Sequence, residues 1–399
     1  MTNGAKAIAV TVIVLIAALG SGLPLLARLS YALMAVLALC AMWAWGSLRW
    51  LEIKRAVPAR RTQVGRAVED RFAVRNTWVI PKTWIEIRDY SSLPDHQASQ
   101  AFGLAPRSWR KWAVRTVCGR RGKYTIGPYA IVTGDPLAIF RRTRVVNERH
   151  AIVVYPAVVD LPDFQFPAGD LPGGYASRQR ANYVTPNASS VREYAPGDSL
   201  NRIHWLSTAR NGRLMTKEFE LDPTSDTWII LDMQQDVHAG SGQESTEEYG
   251  VIAAASLATH FLDRNRAVGL IASATHRETI LGDRGTRQML KILEGLAVFR
   301  AEGKIPLVEV IAAEASRFGR GTTLVVITPS NDESWCEALR ELKYRGVRVA
   351  TAILEASTFG GSGSPTLAVG ELAAADIPVY LIRKGDAFQQ VFVGQGIKQ

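Results

Sequence analysis

The chain has 399 residues, 47% of them hydrophobic, and its 47 Lys and Arg against 37 Asp and Glu give a net charge of +10. That length allows two or three domains, each with a core of its own. Three widely spaced cysteines, Cys40, Cys118 and Cys336, exclude a disulfide framework, and there is no zinc finger, RNA-binding signature or basic recognition helix to point to nucleic acid. The charge is uneven: Arg49–Arg149 carries about +13 and Asp226–Gln399 about −4.

Residues 1–50 hold two apolar runs, about 7–27 and 31–48. Each approaches the ~20 residues that cross a bilayer core. Trp43, Trp45 and Trp50 close the second run and suit a membrane interface. Lys6 precedes the first run, Arg28 alone lies between the two, and Arg49, Lys54, Arg55, Arg60 and Arg61 follow. By the positive-inside rule both ends are cytoplasmic, as expected of a multi-pass plasma-membrane protein with the bulk of its chain in the cytoplasm. A cleaved signal peptide would account for the first run and not for the second.

Residues 55–150 alternate in the manner of strands. In Thr83–Asp89, Ile85 and Ile87 share one face while Trp84, Glu86 and Arg88 share the other. Val68–Arg75, Trp112–Val117 and Tyr129–Val132 are further strands between Gly and Pro turns, which together predict a small antiparallel β-sandwich. Trp78, Trp84, Trp109 and Trp112 read as core and edge packing for such a domain.

Residues 151–225 form a linking segment, with a Pro-, Gly- and Asp-rich loop over Leu161–Asn187. Its densest chemistry runs from Arg192 to Glu220. A strand over Val191–Tyr194 leads to a Pro196-Gly197 turn. Asp198 or Ser199 is placed to cap a short helix with Leu200, Ile203 and Leu206 on one face, and Asn211-Gly212 ends it. From 226 to 395 apolar strands alternate with amphipathic helices. Strands are expected at Trp228–Leu231, Ala267–Ala272, Thr322–Thr328, Val347–Leu354 and Val379–Ile382. Helices are expected at Glu247–Asp263, Gln288–Leu296, Leu307–Phe318, Glu333–Tyr344 and Glu371–Ala375. The alternation implies a mostly parallel sheet covered on both faces.

The Arg192–Glu220 segment resembles the signature of the family called domain of unknown function 58. Arg192-Glu193-Tyr194, Pro196-Gly197-Asp198, Arg202, Ile203, Trp205, Ala209-Arg210, Leu214 and Lys217-Glu218-Phe219-Glu220 carry the likeness. Arg121-Gly122-Lys123-Tyr124, Gly127-Pro128 and Gly134-Asp135-Pro136 through Phe140 resemble a second block of that family, with departures at Leu137 and Ala138; Val154-Tyr155-Pro156 resembles a third. The resemblance implies a membrane-anchored protein that works with a MoxR-type AAA+ ATPase. It also marks Arg192, Glu193, Tyr194, Gly197, Asp198, Arg202, Trp205, Arg210 and Glu218 as an interaction or structural signature. We expect its charges to form a network packed around Trp205.

The order of elements from Asp226, with an aspartate closing the first strand, resembles a von Willebrand factor type A fold, whose D-x-S-x-S loop holds a divalent cation. Here the loop reads Asp232-Met233-Gln234-Gln235-Asp236, so Asp232, Gln234 and Asp236 are degenerate candidates and no bound metal or cofactor is expected. There is no phosphate-binding loop, nucleophile elbow or H-E-x-x-H motif, so no catalytic residue is assigned. The expected function is a membrane-anchored scaffold or adaptor with a cytoplasmic protein-binding domain. Two alternatives remain: a hydrolase-like enzyme using the charged cluster, with His204 beside Ser207 or Thr208, and a module binding anionic lipid or nucleic acid through the basic run.

Overall fold

A computed structural model describes residues 3–162, 164, 190–194, 203–218, 226–274 and 277–393. The chain divides into two compact units, Met1–Ala157 with Leu293–Val298, and Val158–Ile292 with Phe299–Gln399. The first begins with α1 (Asn3–Ser21) and α2 (Pro24–Ser47), two helices long and apolar enough to cross a membrane. Ile13, Ile16, Leu19 and Leu25 are exposed along them. Pro24 starts α2, at the position where its missing N–H costs nothing.

Ten strands follow: β1 (Leu51–Ala56), β2 (Arg61–Gln63), β3 (Ala67–Asn76), β4 (Lys82–Asp89), β5 (Gln100–Leu104), β6 (Trp109–Val117), β7 (Gly122–Ile126), β8 (Tyr129–Gly134), β9 (Arg141–Val146) and β10 (His150–Tyr155). They make three sheets, ordered β1-β3-β6, β5-β4-β8-β9 and β2-β10-β7, antiparallel except for the β2–β10 pair. The period of two holds: Phe72 and Val74 of β3 and Ile85 and Ile87 of β4 point inward and are buried. With Phe102, Leu104, Tyr129 and Ile131 they form one core shared by the first two sheets. Trp112 belongs to that core, stacked on Phe72 at 4.9 Å, whereas Trp109 is exposed.

Two cations of this unit, Arg55 and Lys82, are buried. Arg55, read as a flanking charge of the second span, reaches into the β unit. Its Nε and Nη2 donate to Asp70 at 3.1 and 2.7 Å, and its Nη1 lies 2.8 Å from Asp89. His96 Nε2 sits 3.1 Å from Asp70, with Nδ1 2.8 Å from the Thr116 hydroxyl. Lys82 Nζ donates to the Gly46 carbonyl at 2.8 Å, in the last turn of α2 where helix carbonyls lack partners. Trp50 and Trp78, stacked at 4.2 Å, flank that ammonium. Burial pushes the Lys82 pKa below its ordinary value.

The second unit holds a small ribbon of β11 (Ser190–Glu193) and β12 (Met215–Glu218), with α3 (Trp205–Asn211) between them in sequence. Its remaining strands are β13 (Thr227–Leu231), the hairpin β14 (Gly240–Ser241) and β15 (Glu244–Ser245), β16 (Val268–Ser273), β17 (Arg277–Asp283), β18 (Thr323–Thr328), β19 (Arg348–Leu354) and β20 (Val379–Ile382). Its helices are α4 (Thr246–Asp263), α5 (Gly285–Val298, whose last turns group with the first unit), α6 (Leu307–Glu314), α7 (Ser334–Tyr344), α8 (Thr366–Ala374) and α9 (Phe388–Val393).

The large sheet is ordered β17-β16-β13-β18-β19-β20, parallel except for β17. Every residue of β13, β16 and β18 is buried, as a sheet covered on both faces requires. Ile230, Leu324 and Val326 pack with α6, α7 and α8, while the neighbouring Leu231 and Ile327 approach Gly250 of α4. The expected fold class therefore holds in outline: two apolar helices, mostly antiparallel sheets, then an α/β unit with a mostly parallel sheet. Several elements differ from the sequence reading; the break between the two apolar runs, for one, falls at residues 22–23, so Arg28 lies inside α2 and not between the spans. The helix expected at 307–318 ends at Glu314 and continues as a 3-10 turn, Ala315–Arg317. The short helix expected at 371–375 spans Thr366–Ala374. The antiparallel edge strand β17 is absent from the sequence reading; its Ile280 is buried while Leu281 lies exposed.

Both departures from the family block, Leu137 and Ala138, lie in the β8–β9 turn. Asp135 Oδ2 accepts from the amides of Leu137 and Ile139, and Oδ1 from that of Phe140, folding the turn around one carboxylate. Ala138 in that turn has φ +54°, the left-handed region where a Cβ costs about 1–2 kcal/mol. Ala138→Gly is expected to stabilise the protein by up to about 1 kcal/mol, since the relieved strain is offset by ~0.4–1 kcal/mol of extra unfolded-state freedom. Chemical denaturation checks this; a midpoint that falls would show the position to be unstrained.

Candidate functional site

The signature segment folds as a ribbon with a helical insert. In register, Ser190, Val191, Arg192 and Glu193 face Glu218, Lys217, Thr216 and Met215. The ribbon thus zips the first and last blocks of the signature together, which the sequence could only infer. The Tyr194 amide extends the pairing to the Leu214 carbonyl at 2.8 Å, and buried Ile203 bridges to Thr216.

The helix differs from expectation in both its start and its cap. It begins at Trp205, and its N-cap is His204, whose Nδ1 accepts from the Ser207 amide at 3.2 Å and lies 2.8 Å from the Ser207 hydroxyl. The Pro196-Gly197 turn, the expected caps Asp198 and Ser199, Leu200 and Arg202 lie outside the described residues. The C-terminus is as expected: Gly212 has φ +65° and its amide returns to Thr208. The Thr208 hydroxyl in turn accepts from the Met215 amide at 3.0 Å and docks the helix on β12.

Of the network expected around Trp205, Asp198 and Arg202 lie outside the described residues, and Trp205 itself is largely exposed, at 69%, with Leu206 beside it at 65%. Glu193 pairs with Arg213 at 3.4 Å, but both side chains are exposed, and such pairs contribute little. Arg210 is exposed in the last turn of α3, where a cation suits the helix dipole. A short amphipathic helix normally turns its largest apolar residues inward; here they face out on a frame built from His204, Thr208 and Gly212.

The second candidate locus lies at the carboxyl end of β13. Asp232 is buried, with Oδ1 accepting from the Gln234 amide at 3.0 Å and Oδ2 from the Thr328 hydroxyl at 2.6 Å. The Thr328 oxygen accepts from the Ser330 amide at 2.9 Å, and His238 Nε2 lies 3.0 Å from the Asp232 carbonyl. Gln234 forms a backbone bridge with Gly303, and Asp236 is exposed in the 3-10 turn Gln235–Val237. Among the described residues, no three His, Cys, Asp or Glu side chains come together as metal ligands. Burial pushes the Asp232 pKa up, and the bonds from Thr328 and Gln234 only partly oppose it.

Residues 190–357 match the model of the family described as protein of unknown function DUF58. Over that span the chain is similar to DUF58 proteins. It is 22% identical over 269 residues to the uncharacterized protein YeaD of Bacillus subtilis, covering 66% of this chain and 64% of that relative. It is 25% identical over 171 residues to the uncharacterized protein Rv1480 of Mycobacterium tuberculosis, covering 41% and 53%. The chain thus spans less than two thirds of the length of either relative. Among solved structures, the pilus adhesin SpaC of Lactobacillus rhamnosus is similar at 11% identity, 42% of this chain and 29% of its own, with a TM-score of 0.33. The DUF58 match contains both loci described above, the β11–α3–β12 ribbon and the Asp232–Thr328 pair.

Two measurements follow from this geometry. If His204 acts as a helix cap, His204→Ala lowers stability by about 1 kcal/mol while His204→Asp, a better cap, preserves it; thermal melts of the two variants check this, and equal losses would remove the capping role. For Asp232 the folded-state pKa is raised, so between the ordinary carboxylate pKa near ~3.9 and the raised value the folded state keeps a proton that the unfolded state releases. Stability from this group is therefore present at acid pH and lost as pH rises through that window. Asp232→Asn is expected to raise the melting temperature at pH 7 and to have little effect at the acid end. A lower melting temperature at pH 7 would mean that the carboxylate charge itself is needed.

Proposed function

We propose that this protein is a membrane-anchored scaffold or adaptor, held by the α1–α2 hairpin with both units in the cytoplasm, and that it binds a protein partner through the DUF58 segment. The observation that carries the reading is the paired exposure of Trp205 and Leu206 on a helix fixed at both ends by its own capping bonds. Large exposed aromatics on a rigid frame are the usual anchors of protein interfaces. Arg210, Arg213 and Glu193 would form the charged rim around them. The partner we propose is the MoxR-type AAA+ ATPase that the family resemblance implies.

The α/β unit supports the same reading. Taken from its own first strand, the sheet order is 3-2-1-4-5-6 with strand 3 antiparallel, the order of a von Willebrand factor type A-like fold, and we assign it to that class. In the loop that holds the cation in such a fold, the Asp232 carboxylate here accepts from Thr328 and Gln234, and we read it as an internal brace. A second reading, a hydrolase, draws on the 2.8 Å separation of His204 Nδ1 and the Ser207 hydroxyl, a base–nucleophile distance. We favour the scaffold because the same nitrogen accepts the Ser207 amide, which makes the contact a local cap.

The experiment is detergent co-purification of the full chain with the ATPase, using Trp205→Ala and Leu206→Ser. Because both side chains are exposed, the melting temperature should be unchanged, while Trp205→Ala weakens partner binding by at least ~30-fold, the effect of a ~2 kcal/mol anchor. Undiminished binding would overturn the proposed site. Hydrolytic activity abolished by Ser207→Ala, with partner binding intact, would favour the second reading.

A further inference from the structure

The two apolar helices are antiparallel, and both of their outer ends are held on the β unit at neighbouring points. At the start of α1, Asn3 Nδ2 lies 3.4 Å from the Ala138 carbonyl. A Cβ at Gly4 would come within 3.0 Å of the Phe140 ring and 3.2 Å of the Ile139 carbonyl, so the helix backbone rests directly on the β8–β9 turn. At the end of α2, the Gly46 carbonyl takes the Lys82 ammonium. If the hairpin spans a bilayer, the surface of that bilayer must pass close to this turn and the strand that follows.

The strand that follows is β9, Arg141-Arg142-Thr143-Arg144-Val145-Val146, whose first five residues are exposed. It is the outer strand of its sheet, paired only with β8. Arg141 stands over the Trp84 ring at 5.4 Å, and no described carboxylate lies within ion-pair distance of Arg141, Arg142 or Arg144. Leu137 at the tip of the preceding turn is 62% exposed. Three exposed guanidinium groups with no ion pair among the described residues, and an apolar tip, attached to the ends of two candidate spans, are complementary to a headgroup layer.

We propose that β9 and the β8–β9 turn lie on the membrane surface and bind anionic phospholipid headgroups through Arg141, Arg142 and Arg144. The proposal rests on the hairpin spanning the membrane and goes beyond it: the β unit is seated on the leaflet, not merely tethered to it. Guanidinium groups suit phosphate because their fork of donors matches its oxygens. Each arginine near an anionic leaflet adds about fivefold to binding, an effect confined to a Debye length of ~8 Å at physiological salt. Headgroups would also cover an edge strand that otherwise leaves backbone groups free to pair with other chains.

The test uses the full chain in lipid nanodiscs, made of phosphatidylcholine alone or with added phosphatidylglycerol, and follows amide hydrogen exchange over residues 137–146. Exchange is expected to slow by roughly fivefold or more with the anionic lipid. High salt or the exposed-site double variant Arg142→Gln, Arg144→Gln should abolish the effect, with β16 as an unchanged reference. An inserted chain whose β9 exchanges equally in both lipids would overturn the proposal and leave the spanning reading intact. A chain that enters neither disc would overturn both. Protection by a DNA oligonucleotide but not by phosphatidylglycerol would assign the strand to nucleic acid and also overturn the proposal. Should the double variant unfold, the comparison of the two lipids on the unaltered chain still decides.

Discussion

The β unit depends on one guanidinium. Arg55 leaves β1 and reaches Asp70, on β3 of its own sheet, and Asp89, on β4 of the facing sheet, with the side chains of all three almost wholly buried. A charge taken so far out of water is tolerated only when its donors are met, and Arg55 is surrounded on both sides by carboxylates and stacked 4.7 Å over Phe72. Burial would lower its pKa, but the bonds to Asp70 and Asp89 raise it; burial would raise that of Asp70, but the bonds from His96 and Arg55 lower it. The guanidinium therefore locks two sheets in one relative register. Removing one member of such a buried pair typically costs about 3–5 kcal/mol, a large share of a domain's ~5–15 kcal/mol margin.

Fixing the sheets also fixes the end of the hairpin. Lys82 and Asp89 lie at opposite ends of β4, so the strand that Arg55 clamps at one end holds the α2 carbonyl at the other. The Trp50–Trp78 stack shields the ammonium from water, and Asp135 gathers the turn that supports α1. Polar groups in this unit therefore carry positional information, while the apolar alternation of its strands supplies the burial.

The α/β unit is built on a different principle. Its central strands are apolar except for Thr and Ser at their ends, and one set of buried polar contacts lies at the carboxyl ends, where Thr328 donates to Asp232 and accepts from the Ser330 amide. The signature ribbon shows the opposite arrangement: backbone pairing and caps are satisfied internally, and the largest side chains are left to solvent. That contrast is why the scaffold reading rests on Trp205 and Leu206 and not on the aspartate loop.

Much of the architecture was legible in the chain itself. The alternation around Ile85 and Ile87, the continuous apolar strands after Asp226 and the Asn211-Gly212 helix stop are all local, set by period and backbone preference, and each appears where its pattern places it; the two apolar runs also become helices, but the break between them comes earlier than Arg28. What local pattern could not supply was partnership across distance. Arg55 reads as a flanking charge until β3 and β4 bring two aspartates to it, and nothing in the local pattern marks Lys82 as the partner of a carbonyl at the end of α2. Trp205 reads as the centre of a charge network, yet its side chain is 69% exposed. Sequence determined which segments become helix and strand, because those choices depend on neighbours in the chain. Only the tertiary structure decided which charges are buried and which aromatics are exposed, because desolvation depends on neighbours in space.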